Sequence, residues 1–438
     1  MSSTSRHIDP VRPFRGVRYS PPFSDRLASI VCPPYDIITD PGRESLYGRD
    51  PHNIIRLEHP MPLPTDSADA ERYARAGAIY RQWAQQGVMA ADEVPCFYVH
   101  DHTFVYRGKT HTRRGLVGAV RLREWYDGVF PHELTGTKAK QDRLELMRSC
   151  GVSFSYPLGI YEDAAGVVAD AISTAISDVT PQVVEEEIDS HRFWVVRDAS
   201  AVARIAQALG PEPIYIADGH HRYETGLVYQ AERRAKDGLC APGEACAYDY
   251  IPMTLTGFYD PGLFISPVYR VLRGFALPST EEIEEGLEAF FTIDYVPTAV
   301  AMARSAPVGE MALMAVVGLR DGMVAELRKK PGIELGAQVP GGHSSEYCTF
   351  NVSILNHVVM ARVMGIDPDG EGVSYSPDLE GVVGAVQSGD AQLAFLLAPP
   401  HPLLVKKIAD QRERMPRKST YFYPKPPTGL VAYALDQR

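Results

Sequence analysis

The chain has 438 residues, 45% of them hydrophobic and 23% charged, an ordinary globular composition long enough for two or three domains. A net charge of −11 and a pI near 5.7 argue against a nucleic-acid partner, whose phosphate backbone calls for clustered Lys and Arg. No apolar run reaches the roughly eighteen residues of a membrane span, and Met1-Ser-Ser-Thr-Ser-Arg-His7 has no apolar signal core, so a cytoplasmic chain without a membrane partner is expected.

In chain order, the first sixty or so residues are proline-rich and aperiodic. Cys32-Pro33-Pro34-Tyr35-Asp36 reads as extended or turned, because each proline drives its predecessor out of the α region. A rigid turn of this kind either presents Asp36 to a metal or is purely structural. Helical spacing of Tyr73, Ala76, Tyr80 and Trp83 predicts a helix over 67–86, closed by Gly87. Strands are expected at 96–100, 103–106 and 115–122, with a turn at Arg107-Gly-Lys. His100 and His102 alternate on one face and read as strand surface, since two histidines alone make a poor metal site. A loop at 131–137 leads to a helix over 138–150 stopped by Gly151. A strand at 193–196 and a helix at 201–209 follow. The C-terminal third reads as a hairpin (311–317 and 324–328), helices at 352–364, 378–387 and 403–414, and an apolar strand at 391–398.

Interleaved strands and helices give a mixed α/β (α+β) class. Three regions are expected. Residues 1–165 carry Pro-Pro-Tyr-Asp and His-Glu-Leu-Thr, 166–300 carry Asp-Gly-His-His-Arg, and 301–438 carry Lys-Ser-Thr. The cysteines (Cys32, Cys96, Cys150, Cys240, Cys246 and Cys348) contain no C-x-x-C pair and read as reduced, mostly buried thiols. Cys240 and Cys246 are the closest two, separated by a loop-like Ala-Pro-Gly-Glu-Ala.

The segment richest in chemistry is Ile214-Tyr-Ile-Ala-Asp218-Gly219-His220-His221-Arg222. An apolar run ends at Asp-Gly, and a helical pattern begins at once. Histidines and an arginine in a first helical turn are unfavourable against the dipole unless an anion is present. The segment therefore reads as a phosphate site of Gly219, His220, His221 and Arg222, with Asp218 on Mg²⁺ or a substrate hydroxyl. The plainer alternative is a surface turn with Asp218 as a capping residue. In Pro131-His132-Glu133-Leu-Thr135, Glu133 is a candidate general base with His132 beside it, or else a solvated residue in a capping stretch. Lys138, Lys140 and Arg143 serve phosphates or form a solvated helix face. In Met415-Pro-Arg-Lys418-Ser419-Thr420-Tyr-Phe-Tyr-Pro-Lys425 the basic and hydroxyl groups are suited to phosphate, but no glycine-rich loop precedes them, and a strand of alternating exposure explains them equally. Gly341-Gly342-His343 is a loop whose role the sequence leaves open. No G-x-S-x-G, H-E-x-x-H or G-x-G-x-x-G motif is present.

These blocks carry a resemblance. Pro33-Pro-Tyr-Asp-Ile-Ile, Pro51-His-Asn-Ile-Ile-Arg-Leu, Pro131-His-Glu-Leu-Thr, Asp142-Arg-Leu, Ile216-Ala-Asp-Gly-His-His-Arg-Tyr-Glu-Thr and Met415-Pro-Arg-Lys-Ser-Thr-Tyr-Phe-Tyr-Pro-Lys identify the chain as a member of the domain-of-unknown-function 1015 family. The Asp218–Arg222 block also resembles the nucleotide-binding motif of the ParB/sulfiredoxin superfamily. Sulfiredoxins carry Gly-Cys-His-Arg there, and His220 stands in place of that cysteine. The free serine kinases of that superfamily carry Asp-Gly-His-His-Arg, which matches here. The likeness implies a ParB/sulfiredoxin-like nucleotide-binding core with additional α/β layers. It also implies an upstream glutamate acting on the substrate hydroxyl, for which Glu133 is the candidate, and a motif aspartate binding substrate or metal. One departure is local: where Pro-Thr-His-Arg is expected, the chain has Pro267-Val-Tyr269-Arg270.

The leading expectation is a kinase-type phosphotransferase using ATP or ADP and Mg²⁺ on a small hydroxyl metabolite such as serine, or the reverse reaction. Lys418 and Lys425 would neutralise the transferring phosphoryl group. The alternatives are a non-catalytic nucleotide-responsive binding protein and a phosphoester or nucleotide hydrolase. A homodimer is left open.

Overall fold

Along Phe97–Tyr106, successive side chains point to opposite faces, and both faces are covered as far as Phe104. Phe97 and Val99 enter one apolar core with Leu116, Val120, Ile216, Met253 and Leu255. Tyr98 enters another with Val117, Ala119, Phe193 and Tyr250. The structure, a computed structural model, describes residues 10–185, 189–238, 246–304, 308 and 312–436, and of 137–139 the backbone alone.

The contact pattern divides the chain into two units. The first comprises the described parts of Met1–Pro131, Thr135–Leu263 and Pro424–Arg438, and the second His132–Leu134 with Phe264–Tyr423. The three consecutive regions read from the sequence lack this discontinuity.

The first unit is built on a nine-stranded mixed sheet. Its order is Val129–Phe130, Ile214–Asp218, Leu158–Tyr161, Tyr250–Gly257, Lys109–Arg121, Phe97–Tyr106, Ser190–Val196 and Gln182–Glu185, with Val11–Arg12 added to Lys109–Arg121. Ile214–Asp218 runs parallel to Val129–Phe130, and Tyr250–Gly257 parallel to Leu158–Tyr161; the other pairings are antiparallel. Helices Ala70–Gln85 and Thr137–Cys150 supply one core, and Val167–Ile176 and Ala199–Leu209 the other. Helix His220–Asp237 contributes Tyr229 to the first and Tyr223 to the second. The C-terminal segment returns to this unit, where Tyr433–Ala434 pairs with Val152–Ser153 and Thr428 bridges Cys32.

The second unit contains a six-stranded, wholly antiparallel sheet. Its order is Phe291–Pro297, Met323–Lys329, Met314–Val317, Leu393–Leu397, Tyr269–Leu272 and Val373–Ser376. Val271, Ala315, Val324, Val382, Ala394 and Leu396 form its core.

The mixed α/β class stands as expected. Helices start and stop close to the capping signals: Gly151 closes Thr137–Cys150 at φ +65°, and Asp198 caps Ala199–Leu209 through the Ala201 N–H at 2.8 Å. The expected helix over 352–364 is α-helical only over Asn351–Ile354 and continues as a π-helix over Leu355–Val363. Two central strands, Leu158–Tyr161 and Tyr250–Gly257, were not anticipated. Pro252 lies within the second, opposite Ala119 of Lys109–Arg121, at a point where its other neighbour Leu158–Tyr161 has not yet begun; that pairing starts at Thr254 with Leu158. The thiol reading needs correction: Cys32, Cys96, Cys150 and Cys348 are free, but Cys246 is disulfide-bonded. Cys240 and Met311 lie outside the described residues, as does the side chain of Lys138. Among the described residues, no helix is long and apolar enough to cross a membrane.

Candidate functional site

Ile214, Tyr215, Ile216 and Ala217 are buried, so the strand runs through the core and emerges at Asp218. Gly219 then takes φ +89°, a left-handed conformation open to glycine at little cost, and the helix starts at His220. A Cβ on Gly219 would lie 2.7 Å from Arg222 Nε, so the turn needs glycine for space as well as for φ. Tyr223 locks the helix start, its hydroxyl donating to the Arg123 carbonyl at 2.8 Å and accepting from the Arg123 N–H at 3.0 Å. Glu224 gathers the adjoining loop, accepting from Lys140 Nζ at 2.9 Å, from Trp125 Nε1 at 3.3 Å and from the Thr135 hydroxyl.

Around Asp218 the first unit assembles charges from five places in the sequence. Arg222 pairs with Asp218 Oδ2 and donates to the Tyr156 carbonyl at 2.8 Å. Lys425 lies 2.9 Å from Asp218 Oδ1 and pairs with Asp36 as well. Behind Arg222, Arg143 pairs with the buried Glu58 at 3.2 Å and with Asp142, and its guanidinium stacks 3.9 Å from the centre of the Tyr35 ring. Glu58, Arg143, Arg222 and Ser155 line a cavity of about 20 Å³, room for a single water. Burial opposes the Asp218 charge, but Lys425 and Arg222 outweigh it and hold the carboxyl well below the usual range. Burial likewise works against Lys425, and Asp218 and Asp36 more than offset it, so its pKa is raised. For Glu58 burial prevails over Arg143 and pushes the carboxyl up. Buried charges in such number are expensive unless paired, and clusters of shifted groups concentrate at functional sites.

This geometry changes the electrostatic argument made from sequence. The anion that makes Arg222 tolerable in the first turn is supplied by the chain itself, as Asp218. Arg222 is 7% exposed and directed at the strand end, not presented as a free phosphate clamp. His220 is buried with its ring 6.4 Å from Trp125. His221 Nε2 accepts the Gly136 N–H at 2.9 Å, so that nitrogen carries no proton. Asp36, read as part of a structural turn, is a direct partner of Lys425. Sequence reasoning missed Glu58, Tyr35 and Glu224; all three lie in or beside the family blocks that begin at Pro51, Pro33 and Ile216, and that membership was the available signal.

The remaining candidates come together within the second unit. Met415 N–H donates to the His132 carbonyl at 2.8 Å, and Arg414 donates to the Glu133 carbonyl at 2.6 Å. The Lys418 N–H donates to Glu133 Oε1 at 3.0 Å, and buried His132 Nε2 lies 2.8 Å from Thr420 Oγ1. Ser419 is buried and donates to the Pro416 carbonyl at 2.6 Å, whereas the Lys418 side chain is exposed. The Gly341-Gly342-His343 loop is tied down: the Ser344 N–H donates to Glu413 at 2.9 Å, and His343 stacks 4.0 Å from Tyr347.

His100 and His102 are not strand surface. Both are buried with His191 of the paired Ser190–Val196 strand, which lies opposite His102, and His100 Nε2 is 3.0 Å from His191 Nδ1. Among the described residues, no group of three His, Cys, Asp or Glu side chains is placed to hold a metal ion.

The family model for the protein family of unknown function DUF1015 matches residues 11–347. The chain belongs to this family. No curated protein matches it. Solved structures with some likeness include a free serine kinase in complex with AMP, 14% identical, covering 72% of this chain and 90% of that one at a TM-score of 0.33. SbnI from Staphylococcus aureus, with a C-terminal truncation, is 9% identical, covering 71% and 84% at 0.34. A conserved hypothetical protein from Pyrococcus furiosus is 14% identical, covering 69% and 89% at 0.30. Likeness at TM-scores this low carries no inference for this chain.

Proposed function

We propose that the Asp218–Arg222 turn binds the phosphates of ATP or ADP. On this reading the chain transfers a phosphoryl group between that nucleotide and a small hydroxyl metabolite, with serine the first to test. The observation that carries it is Lys425, a buried ammonium held between Asp218 and Asp36 at a helix start whose cap residue has no side chain. Backbone N–H groups at such a start suit phosphate, and a pre-placed cation strengthens the site. The Asp218-Gly-His-His-Arg222 match to the free serine kinase form of the motif supports the same chemistry.

In this reading a phosphate oxygen takes the place of one carboxylate at Lys425. The first-turn amides of Gly219, His220, His221 and Arg222 complete the cradle, and Arg222 acts by fixing Asp218. Lys418, Ser419 and Thr420 are candidates for the transferring phosphate, with His132 orienting Thr420. Glu133 accepts the acceptor's proton as the hydroxyl oxygen bonds to the terminal phosphorus and the bond from phosphorus to the bridging oxygen breaks. The reverse transfer uses the same groups. Asp218 is the candidate for Mg²⁺ or the substrate hydroxyl, but both its oxygens are engaged by cations, so these residues make a poor divalent-ion site unaided and no step is routed through the ion.

The test is a thermal-shift panel of AMP, ADP and ATP with and without Mg²⁺. A ligand at about a hundred times its Kd stabilises by about 2.7 kcal/mol. Lys425→Met should abolish the shift, and Glu133→Gln should keep it while losing turnover with serine. No shift with any nucleotide would overturn the reading. Full-rate phosphate release without an acceptor would indicate a hydrolase, and binding without turnover a nucleotide-responsive regulator.

A further inference from the structure

In the second unit Arg270 is 2% exposed, yet among the described residues no carboxylate lies within ion-pair distance of it. The hydrogen bonds of its guanidinium go to carbonyls. Nη1 donates to Val268 at 2.6 Å, and Nη2 to Arg417 at 3.3 Å and to Lys418 at 3.1 Å. The face of Tyr375 lies 5.5 Å away. A buried cation without a counter-ion is a poor choice for stability, and an apolar side chain in a strand core would usually serve better. Burial draws its pKa down to about 10, with Tyr375 and Glu133 acting in the opposite direction.

What Arg270 holds is unusual as well. Lys418 sits at φ +54°, a left-handed conformation that costs a residue with a Cβ about 1–2 kcal/mol and persists only where its surroundings impose it. In that conformation the Lys418 N–H meets Glu133 Oε1 at 3.0 Å. The Lys418 carbonyl and the one before it are the two that Arg270 Nη2 grips. The chain of contacts thus runs from a buried guanidinium, through a strained turn, to one carboxylate oxygen.

We propose that Arg270 is a positioning residue for Glu133: it holds the Arg417–Lys418 turn in the left-handed form whose N–H fixes the Glu133 carboxylate. The catalytic consequence rests on the phosphotransfer reading above; the structural part does not. A fixed carboxylate keeps one oxygen occupied and leaves the other directed, the preorganisation a general base requires. Arginine suits the task because its fork reaches several carbonyls at once, which a single ammonium does less well.

The test uses the full chain and four variants. Hydrogen exchange at the Lys418 amide, followed by mass spectrometry on overlapping peptides across residues 415–421, reports the N–H bond to Glu133. Arg270→Met should lower protection there by about tenfold, the scale of one lost hydrogen bond. Arg270→Lys should restore part of it. Val271→Ala, in the same strand, should lower the melting temperature without loss of Lys418 protection, which separates positioning from global loosening. Glu133→Gln should keep protection, since an amide oxygen also accepts. With Mg²⁺, ATP or ADP and serine as probes, Arg270→Met should lower kcat by about 100-fold, the scale of an ångström-level misplacement, and leave the nucleotide KM nearly unchanged. Unaltered Lys418 protection in Arg270→Met, or loss of protection in Val271→Ala in proportion to its lost stability, would overturn the proposal. A wild-type chain inactive on these probes would count against phosphotransfer, while the exchange result would still decide the role of Arg270.

Discussion

Replacing Gly219 with alanine tests whether the strand–turn–helix is held as described. Two effects add. The left-handed φ of +89° costs a residue with a Cβ about 1–2 kcal/mol. The new Cβ would also sit 2.7 Å from Arg222 Nε, 2.9 Å from Nη2 and 3.0 Å from Cζ. The guanidinium would have to leave a position where it pairs with Asp218 and donates to Tyr156, and losing one hydrogen bond to a charged group costs about 2 kcal/mol. Gly87 provides the control. Its φ is +70°, and a Cβ there meets nothing within 4 Å, so Gly87→Ala carries the backbone cost alone. The expected result is a loss near 3–4 kcal/mol for Gly219→Ala against 1–2 for Gly87→Ala, by the same two magnitudes. Trp83, Trp125 and Trp194 are the chain's only tryptophans and all belong to the first unit, so tryptophan fluorescence in a urea titration reads that unit selectively. Equal midpoint shifts for the two variants would refute the claim that Arg222 is pinned against the turn.

Three further outcomes follow from the same contacts. Lys425→Met leaves Asp218 and Asp36 without their shared ammonium and should cost about 3 kcal/mol, the scale of breaking a buried pair; adding Asp36→Asn should recover part of it, and strict additivity of the two changes would argue against direct coupling. Burial and the Arg113 charge lower His191 to about 4 from 6.5, against the pull of Asp189. The unfolded chain therefore takes up this proton first on acidification. The contribution of neutral His191 is complete above about pH 6.5 and is lost as pH falls toward 4, about 3 kcal/mol in total. His191→Gln should flatten that part of the stability–pH curve, and an unchanged slope would assign it elsewhere. Glu224→Gln weakens a carboxylate that Thr135, Lys140 and Trp125 share, and should raise hydrogen exchange in peptides spanning 134–140 while sparing the far half of the helix, residues 230–237.

What the sequence made legible is what depends on neighbours along the chain. The Asp218-Gly219 turn was readable because a β-branched run, a glycine and a helical period abut within a few residues, and each leaves a local signature. The same holds for the helices closed by Gly87 and Gly151. The partners of the turn were not readable that way. Lys425 reaches Asp36 across 389 positions, and Arg143 reaches Glu58 across 85. No periodicity reports such pairings. Asp36 looked like part of a proline turn because Pro33 and Pro34 explain its local conformation completely; its charge mattered only once the C-terminal segment returned to the first unit. Arg222 shows the converse error. Its position in a first helical turn correctly called for an anion, but local reasoning assigned that anion to a ligand when Asp218, four residues earlier, already supplies it. A cation at a helix N-terminus therefore marks a site only after intrachain carboxylates have been ruled out. Neither cation here passes that filter, since Asp218 holds Arg222 and Asp218 with Asp36 holds Lys425; the proposed phosphate contact at Lys425 rests instead on exchange of one of its two carboxylates for a phosphate oxygen, which leaves the other in place, whereas Arg222 has one carboxylate and one carbonyl.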